Sequence, residues 1–223
     1  TVQADTVAHC GTSLAGSFAF SLTVTDIFTG WTENRGLWNK GQDGVVQQME
    51  DIEKSLPFTI KTFKSDSGSE FMNYRVMNYF KERNRPVTMV RSRPYRKDDN
   101  CYVEQKNFTH VRELFGYERI EQRDLIVLMN EIYRDYWNPL QNFFIPSTKL
   151  LRKVRIGARI KKEFEPHLTP YQRMMGAINW SDEKKKQLRC KKESLNPFEL
   201  TKALNEKLRE FKRLMQRNRL ISA

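Results

Sequence analysis

The sequence predicts a mixed α/β domain followed by a basic extension. Three observations carry that expectation. Strand-like runs at 2–8, 18–24 and 31–37 follow one another before any helical segment. From 41 onward, segments with apolar residues at helix spacing alternate with segments of period two, the order of an α/β chain. Charge also divides sharply: 1–140 holds 18 Lys and Arg against 19 Asp and Glu, whereas 141–223 holds 21 against 8. A nearly neutral block followed by a strongly basic one points to chemistry in the first and a grip on a polyanion in the second.

Each element rests on local signals. The turn Asp26-Ile27-Phe28-Thr29-Gly30 joins 18–24 and 31–37 as a hairpin. The stretch 41–56 reads as a helix, because Val45, Val46, Met49, Ile52 and Leu56 share a face and Pro57 stops it. A fourth strand follows at 58–64. A second helix at 70–83 carries Phe71, Tyr74, Met77 and Phe80 and ends before Pro86. A short fifth strand at 87–90 leads into a polar, basic loop at 91–100. The helix at 101–115 closes at Gly116, the favoured residue after a helix end. Another spans 124–137, with Leu125, Leu128, Met129, Ile132 and Tyr136 on one face.

Beyond Pro139 the pattern changes. Val154, Ile156, Ala158 and Ile160 alternate with Lys153, Arg155, Arg159 and Lys161. That alternation predicts one strand over 153–161, apolar on one face and basic on the other, with Gly157 as a bulge or kink. Asn196-Pro197-Phe198-Glu199 forms a capped helix start. Its stripe of Leu204, Leu208, Phe211 and Met215 suits a docking helix or a DNA-binding helix.

Composition excludes several classes. No stretch approaches the roughly 20 apolar residues that span a membrane, and 14–24 lacks the basic flank of a signal peptide. Cys10, Cys101 and Cys190 are odd in number and, with His9, His110 and His167, follow no zinc-site spacing. A reducing cytoplasm, with the chain associated with the nucleoid, is the expected compartment.

Three acids stand in settings that suit an active site: Asp5 within a β-prone run, Asp66 where a strand breaks into a Gly turn, and Glu104 at the start of a helix. Carboxylates at two strand ends and one helix can converge on a pair of hard cations. Such a pair clamps the attacking and leaving oxygens of a phosphodiester. Their local sequences are Gln3-Ala4-Asp5-Thr6-Val7-Ala8-His9-Cys10-Gly11, Ser65-Asp66-Ser67-Gly68-Ser69-Glu70-Phe71 and Val103-Glu104-Gln105-Lys106-Asn107. With Leu22 through Glu33, Arg91 through Asn100, and Tyr136 through Lys149 (containing Asn142-Phe143-Phe144 and Pro146), they form an ordered set over most of the chain. That set resembles the catalytic core of DDE transposases and retroviral-type integrases, most closely a group of bacterial insertion-sequence transposases. Two positions depart from the pattern: Ser67 replaces the usual Asn, and Cys101-Tyr102 replaces a small residue and His.

The resemblance implies a ribonuclease H-like fold, a mixed five-stranded sheet flanked by helices. It implies an integrase-type catalytic core at 1–138 and a basic DNA-binding or assembly extension at 139–223. Residue 1 is Thr, four positions before Asp5, so upstream sequence is expected, where the family usually carries a helix-turn-helix region. The implied activity is metal-dependent DNA cleavage and strand transfer at mobile-element ends. Asp5 would bridge two Mg²⁺ (or Mn²⁺) ions, with Asp66 and Glu104 each completing one shell. Implied partners are element-end and target DNA and further copies of the chain on DNA, and no membrane. The alternatives are an idle, transposase-derived DNA-binding or assembly protein, and a ribonuclease H-like nuclease. Glu70 reads as a first-turn helix acid. The candidate DNA contacts are Arg91, Arg93, Arg96 and Lys97 in the loop, Asn107 on the Glu104 face, and Arg155, Arg159 and Lys161 in the extension.

Overall fold

The computed structural model describes residues 1–66, 68–93, 99–178 and 180–221. Its organising strand is β1 (Val2–Ala8), which pairs antiparallel with β2 (Ala19–Asp26) on one side and parallel with β4 (Thr62–Ser65) on the other. β3 (Thr32–Trp38) continues the antiparallel side and β5 (Thr88–Arg91) the parallel side, giving the order β3-β2-β1-β4-β5. This is the expected mixed five-stranded, ribonuclease H-like sheet.

Period two sorts β1 onto two faces. Val2 and Ala4 enter a core with Leu22, Val24, Phe63 and the buried faces of α1 (Gln42–Ser55) and α2 (Tyr74–Lys81). Gln3 and Asp5 therefore face the other layer. That layer begins with α3 (Cys101–Lys106), continues through a π-helical stretch at Asn107–Arg112, and ends in α4 (Glu113–Phe115). α5 (Leu125–Glu131) follows, passing through a second π-helical stretch, Ile132–Trp137, into α6 (Asn138–Phe143).

α2 starts at Tyr74 rather than at 70, because Asn73 caps it by accepting from the Val76 amide. Glu70 is thus a turn residue before the helix, not a first-turn acid.

β3 lies at the sheet edge, where unpaired amides and carbonyls would invite another strand. Asparagines on the α5–α6 segment close it instead. Asn142 accepts from Thr32 N–H at 2.9 Å and donates to Thr32 C=O at 2.8 Å. Asn130 does the same for Gly36, at 2.8 and 3.2 Å. Between them Asn138 donates to Glu33 Oε2 at 2.9 Å and to Asn34 C=O at 3.3 Å. Arg35, fully buried, pairs with Glu33 at 3.2 Å and Asp51 at 2.6 Å and donates to Ser55 Oγ.

The single strand expected over 153–161 is two strands. β6 (Leu150–Ile156) and β7 (Arg159–Phe164) form a hairpin that reverses at Gly157, φ +62°. The register pairs Arg155 with Ile160, Val154 with Lys161 and Ile156 with Arg159. Each face is therefore mixed and basic, because the period-two pattern runs straight through the turn. After it come α7 (Pro170–Met175), α8 (Asp182–Glu193) and α9 (Pro197–Ile221). Leu204, Phe211 and Met215 of α9 are buried with Leu128, Met129 and Tyr133, so the stripe docks.

Replacing Asn142 by Ala should leave both buried backbone groups of Thr32 unsatisfied. A loss of roughly 2–4 kcal/mol is expected, read as a fall in Tm of roughly 5–15 °C by calorimetry. An unchanged Tm would mean that Asn142 does not seal the edge.

Candidate active site

Asp5 sits on the central strand with its carboxylate half-buried between β1 and the α3 layer. Its Oδ1 accepts from the Thr6 amide at 2.8 Å and its Oδ2 from Asn107 Nδ2 at 2.6 Å. Burial pushes the carboxyl up, from 3.8 to about 6. The Thr6 amide works against that rise, Asp66 adds to it, Asn107 opposes it and Glu104 adds again. Asp66 and Glu104 thus lie within electrostatic reach of Asp5.

Asp66 follows the last residue of β4, the strand directly beside β1. Its Oδ1 accepts from Gly68 N at 2.9 Å. A Cβ at Gly68 would lie 2.5 Å from Glu70 Oε2 and 2.9 Å from Asp66 Oδ1. Glycine is therefore what lets both carboxylates fold over this turn. Glu70 accepts from Thr6 Oγ1 at 2.8 Å and Lys40 Nζ at 2.7 Å. Burial raises its carboxyl, but hydrogen bonds from Lys40, its own amide and Thr6 outweigh that and hold it below the ordinary value. Glu70 thereby steadies the residue next to Asp5 while staying internally paired.

Glu104 is placed by its helix, and the helix is fastened to β1 on both sides of it. Upstream, buried Gln3 accepts through Oε1 from the amides of Tyr102 and Val103 at 3.1 and 3.2 Å and donates to Asp99 C=O at 2.8 Å. It does the work of a helix cap from across the fold, since Asn100 makes no side-chain cap bond. Downstream, Asn107 holds Asp5, and Arg112 donates to Ala8 C=O at 3.0 Å. Asn107 opens the π-helical stretch, whose wider turn changes the direction of the side chains along it. The sequence motif around Asp5 assigns Gln3 no role. Its only sequence signal is its position two residues before Asp5, on the same strand face.

The donor set near Asp5 is all oxygen apart from the amide nitrogen of Asn107. Asn107 Oδ1 is buried and has no partner. An unpartnered acceptor beside a carboxylate destabilised by two like charges fits a hard cation. Among the described residues, no group of three or more His, Cys, Asp or Glu side chains is arranged so that it could hold a metal ion.

The remaining candidates lie apart from this centre. Arg91 ends β5, exposed. Arg93 is not a free phosphate donor: its guanidinium grips Asp99 at 3.0 and 2.9 Å and holds that carboxyl well below the usual range. Arg96 and Lys97 lie outside the described residues. Arg155, Arg159 and Lys161 project from the exposed hairpin. Lys106, which helical spacing set opposite Glu104, faces a separate pocket. Burial lowers its ammonium to about 8, with Arg173 and Lys149 adding to the effect.

No family model matches the chain. It is 39% identical over 172 residues to the uncharacterized protein y4rM of Sinorhizobium fredii (strain NBRC 101917 / NGR234), a match covering 77% of the chain and 48% of that protein. The chain thus spans about half the length of the curated relative it matches. Among solved structures it is similar to the simian T-cell lymphotropic virus intasome in complex with PP2A regulatory subunit B56 gamma. That likeness has a TM-score of 0.43 and 12% identity, over 51% of this chain and 38% of that one. It is also similar to the catalytic core domain of BIV integrase, with TM-score 0.41 and 17% identity over 52% and 69% of the two chains. Among the described residues no helix is long and apolar enough to cross a membrane.

The raised Asp5 carboxyl has a signed consequence. The folded protein holds this proton more tightly than the unfolded chain, so its contribution to stability is present below about pH 4 and is lost as pH rises toward about 6. In chelator, Asp5→Asn should therefore stabilise the protein by about 2 kcal/mol at pH 7.5 and by almost nothing at pH 4. Urea melts of both proteins at the two pH values measure it, and a pH-independent difference would reject the assignment.

Proposed function

We propose that the protein is a DDE-type transposase or integrase of the bacterial insertion-sequence group, cutting and joining DNA at element ends. The observation that supports the reading is the Asp5 carboxylate, destabilised by burial and further by Asp66 and Glu104, and flanked by the unpartnered oxygen of Asn107. Three acids, Asp5 within β1, Asp66 just beyond the parallel strand β4 and Glu104 on α3, would gain by taking up divalent cations.

In this reading Asp5 is the shared ligand, and Asp66 and Glu104 each hold one of two Mg²⁺ or Mn²⁺ ions. Bound there, the ions would supply charge neutralisation at phosphorus, a more acidic water or 3′-hydroxyl, and a stabilised leaving oxygen. The chain's own part is placement. Thr6 N–H and Asn107 fix the Asp5 carboxylate, Gln3 fixes the start of the Glu104 helix, and the Gly68 turn fixes Asp66. No protein nucleophile is required, because the attacking oxygen belongs to water or DNA. Residues 139–223 serve as the basic extension that grips DNA, and several copies assemble on it in the nucleoid.

Asp66→Asn and Glu104→Gln should each lower Mn²⁺-dependent nicking of supercoiled plasmid and joining of a labelled oligonucleotide end by several orders of magnitude, with DNA binding retained. Excess chelator should abolish both reactions in the parent. Nicking without joining would identify a nuclease instead, and binding with neither reaction an idle assembly protein.

The hairpin should set much of the salt sensitivity of binding. Gln at Arg155, Arg159 and Lys161 is expected to reduce the slope of log affinity against log salt by up to about 2.7, at roughly 0.9 per phosphate contact. The weakening should be alike on all sequences. An unchanged slope in anisotropy titrations would place the grip elsewhere.

A further inference from the structure

A pocket of about 260 Å³ opens behind α3, away from the carboxylates. Its walls come from three places: Thr25 and Gly30 beside the β2–β3 turn, Cys101, Tyr102, Gln105 and Lys106 on α3, and Ser147 to Leu150 entering the basic hairpin. No carboxylate lines it, whereas two lysines do. Lys149 is spoken for, donating to the carbonyls of Ile27, at 2.5 Å, and Phe28. Lys106 has no hydrogen-bond or ion-pair partner among the described residues, although it is only partly exposed. An unpaired ammonium beside a second cation is a costly arrangement unless an anion completes it.

The surroundings make the pocket rigid and accessible from the basic surface. Arg173 braces the 147 segment, donating to Ser147 Oγ at 3.2 Å, Ser147 C=O at 2.5 Å and Thr29 C=O at 3.2 Å, while pairing with Glu165. The hydroxyls of Ser147 and Thr148 and the amide of Gln105 offer neutral polar groups, and Tyr102 and Leu150 offer an apolar wall. From 149 to 162 the chain carries seven Lys and Arg and no acid, so the hairpin leads a polyanion to the mouth. The volume lies just below the roughly 300–1,000 Å³ of sites that enclose a larger ligand. It suits one phosphate with its adjoining sugar.

We propose that this pocket is a second DNA contact, seating a single backbone phosphodiester against Lys106 at the base of the hairpin. The proposal rests on the reading that the protein acts on DNA, and adds a positioning contact on the opposite side of the helix that carries Glu104. A strand held there and along the hairpin is fixed relative to α3, and so relative to the carboxylates.

The test is anisotropy of a short fluorescent duplex with the parent and Lys106→Gln in excess chelator, over a series of salt concentrations. Gln is one atom shorter, stays polar and removes an unpaired charge, so Tm should hold or rise. The expected result is affinity weaker by roughly 3–10-fold and a salt slope smaller by about one, on all sequences. Equal affinity and slope in the two proteins overturn the proposal. So does a pocket that takes free phosphate alone: inorganic phosphate would then raise the Tm of the parent but not of the variant, with DNA affinity equal. Because no cleavage is measured, either failure leaves the metal-site reading standing, whereas a parent that binds no DNA sinks that reading first.

Discussion

The closing of the β3 edge is the constraint on which the arrangement of the second half depends. An edge strand with free backbone groups is a hazard, and here three asparagine side chains supply what a sixth strand would have supplied. The bonds are reciprocal at Thr32 and Gly36, so α5 and α6 are held in one register along the strand. The buried Glu33–Arg35 pair deepens the same seam, since Asn138 and Trp31 both donate to Glu33. Breaking one partner of such a network leaves a desolvated charge behind, so the seam resists piecemeal change. Phe143 then packs edge-on against Trp31 at 5.2 Å and against Tyr171 of α7 at 5.6 Å. The extension is thereby anchored to the sheet on both sides of its basic hairpin.

A similar economy governs the carboxylates. Like charges do not gather unless something else makes them, and here β1 and α3 are clamped together by neutral amides. Gln3 takes the start of the helix, Asn107 takes Asp5 itself, and Arg112 takes the end of β1. Burial pushes the Asp5 carboxyl toward neutrality, with Asp66 and Glu104 adding to it, while the hydrogen bonds from Thr6 and Asn107 oppose it. A site built this way is least stable when empty and ionised, which is the condition under which a cation gains most by binding.

Much of the fold was legible because its signals are local. The first three strands, the helix stopped by Pro57 and the α9 stripe all follow from period and punctuation. The errors have local causes too. Period two at 153–161 cannot reveal a reversal at Gly157, because both arms alternate in step. The second helix was placed four residues early, since Phe71 fits helical spacing while the cap at Asn73 decides. The three acids were legible as motif members, yet their repulsion and the role of Gln3 depend on contacts about 100 residues apart. Helical spacing puts Lys106 roughly opposite Glu104, which says where the side chain does not point and nothing of what awaits it on the other side.

Charge counts, too, conceal where a polyanion would bind. Most cations of the sheet domain are consumed internally: Arg35 by Glu33 and Asp51, Arg83 by Glu53, Arg93 by Asp99, Arg119 by Glu121 and four carbonyls. Their loss would register as instability before it registered as weaker binding. Among the described residues no cation of the hairpin is in an ion pair. These side chains are exposed, and Arg155 donates only to the neighbouring Gly157 carbonyl, so they are available to displace counterions from phosphates. The field that steers a polyanion toward this protein therefore originates on the hairpin rather than at the carboxylates. In the proposed function such an origin would separate attraction from chemistry, with DNA drawn in by residues whose charge the three acids do not cancel.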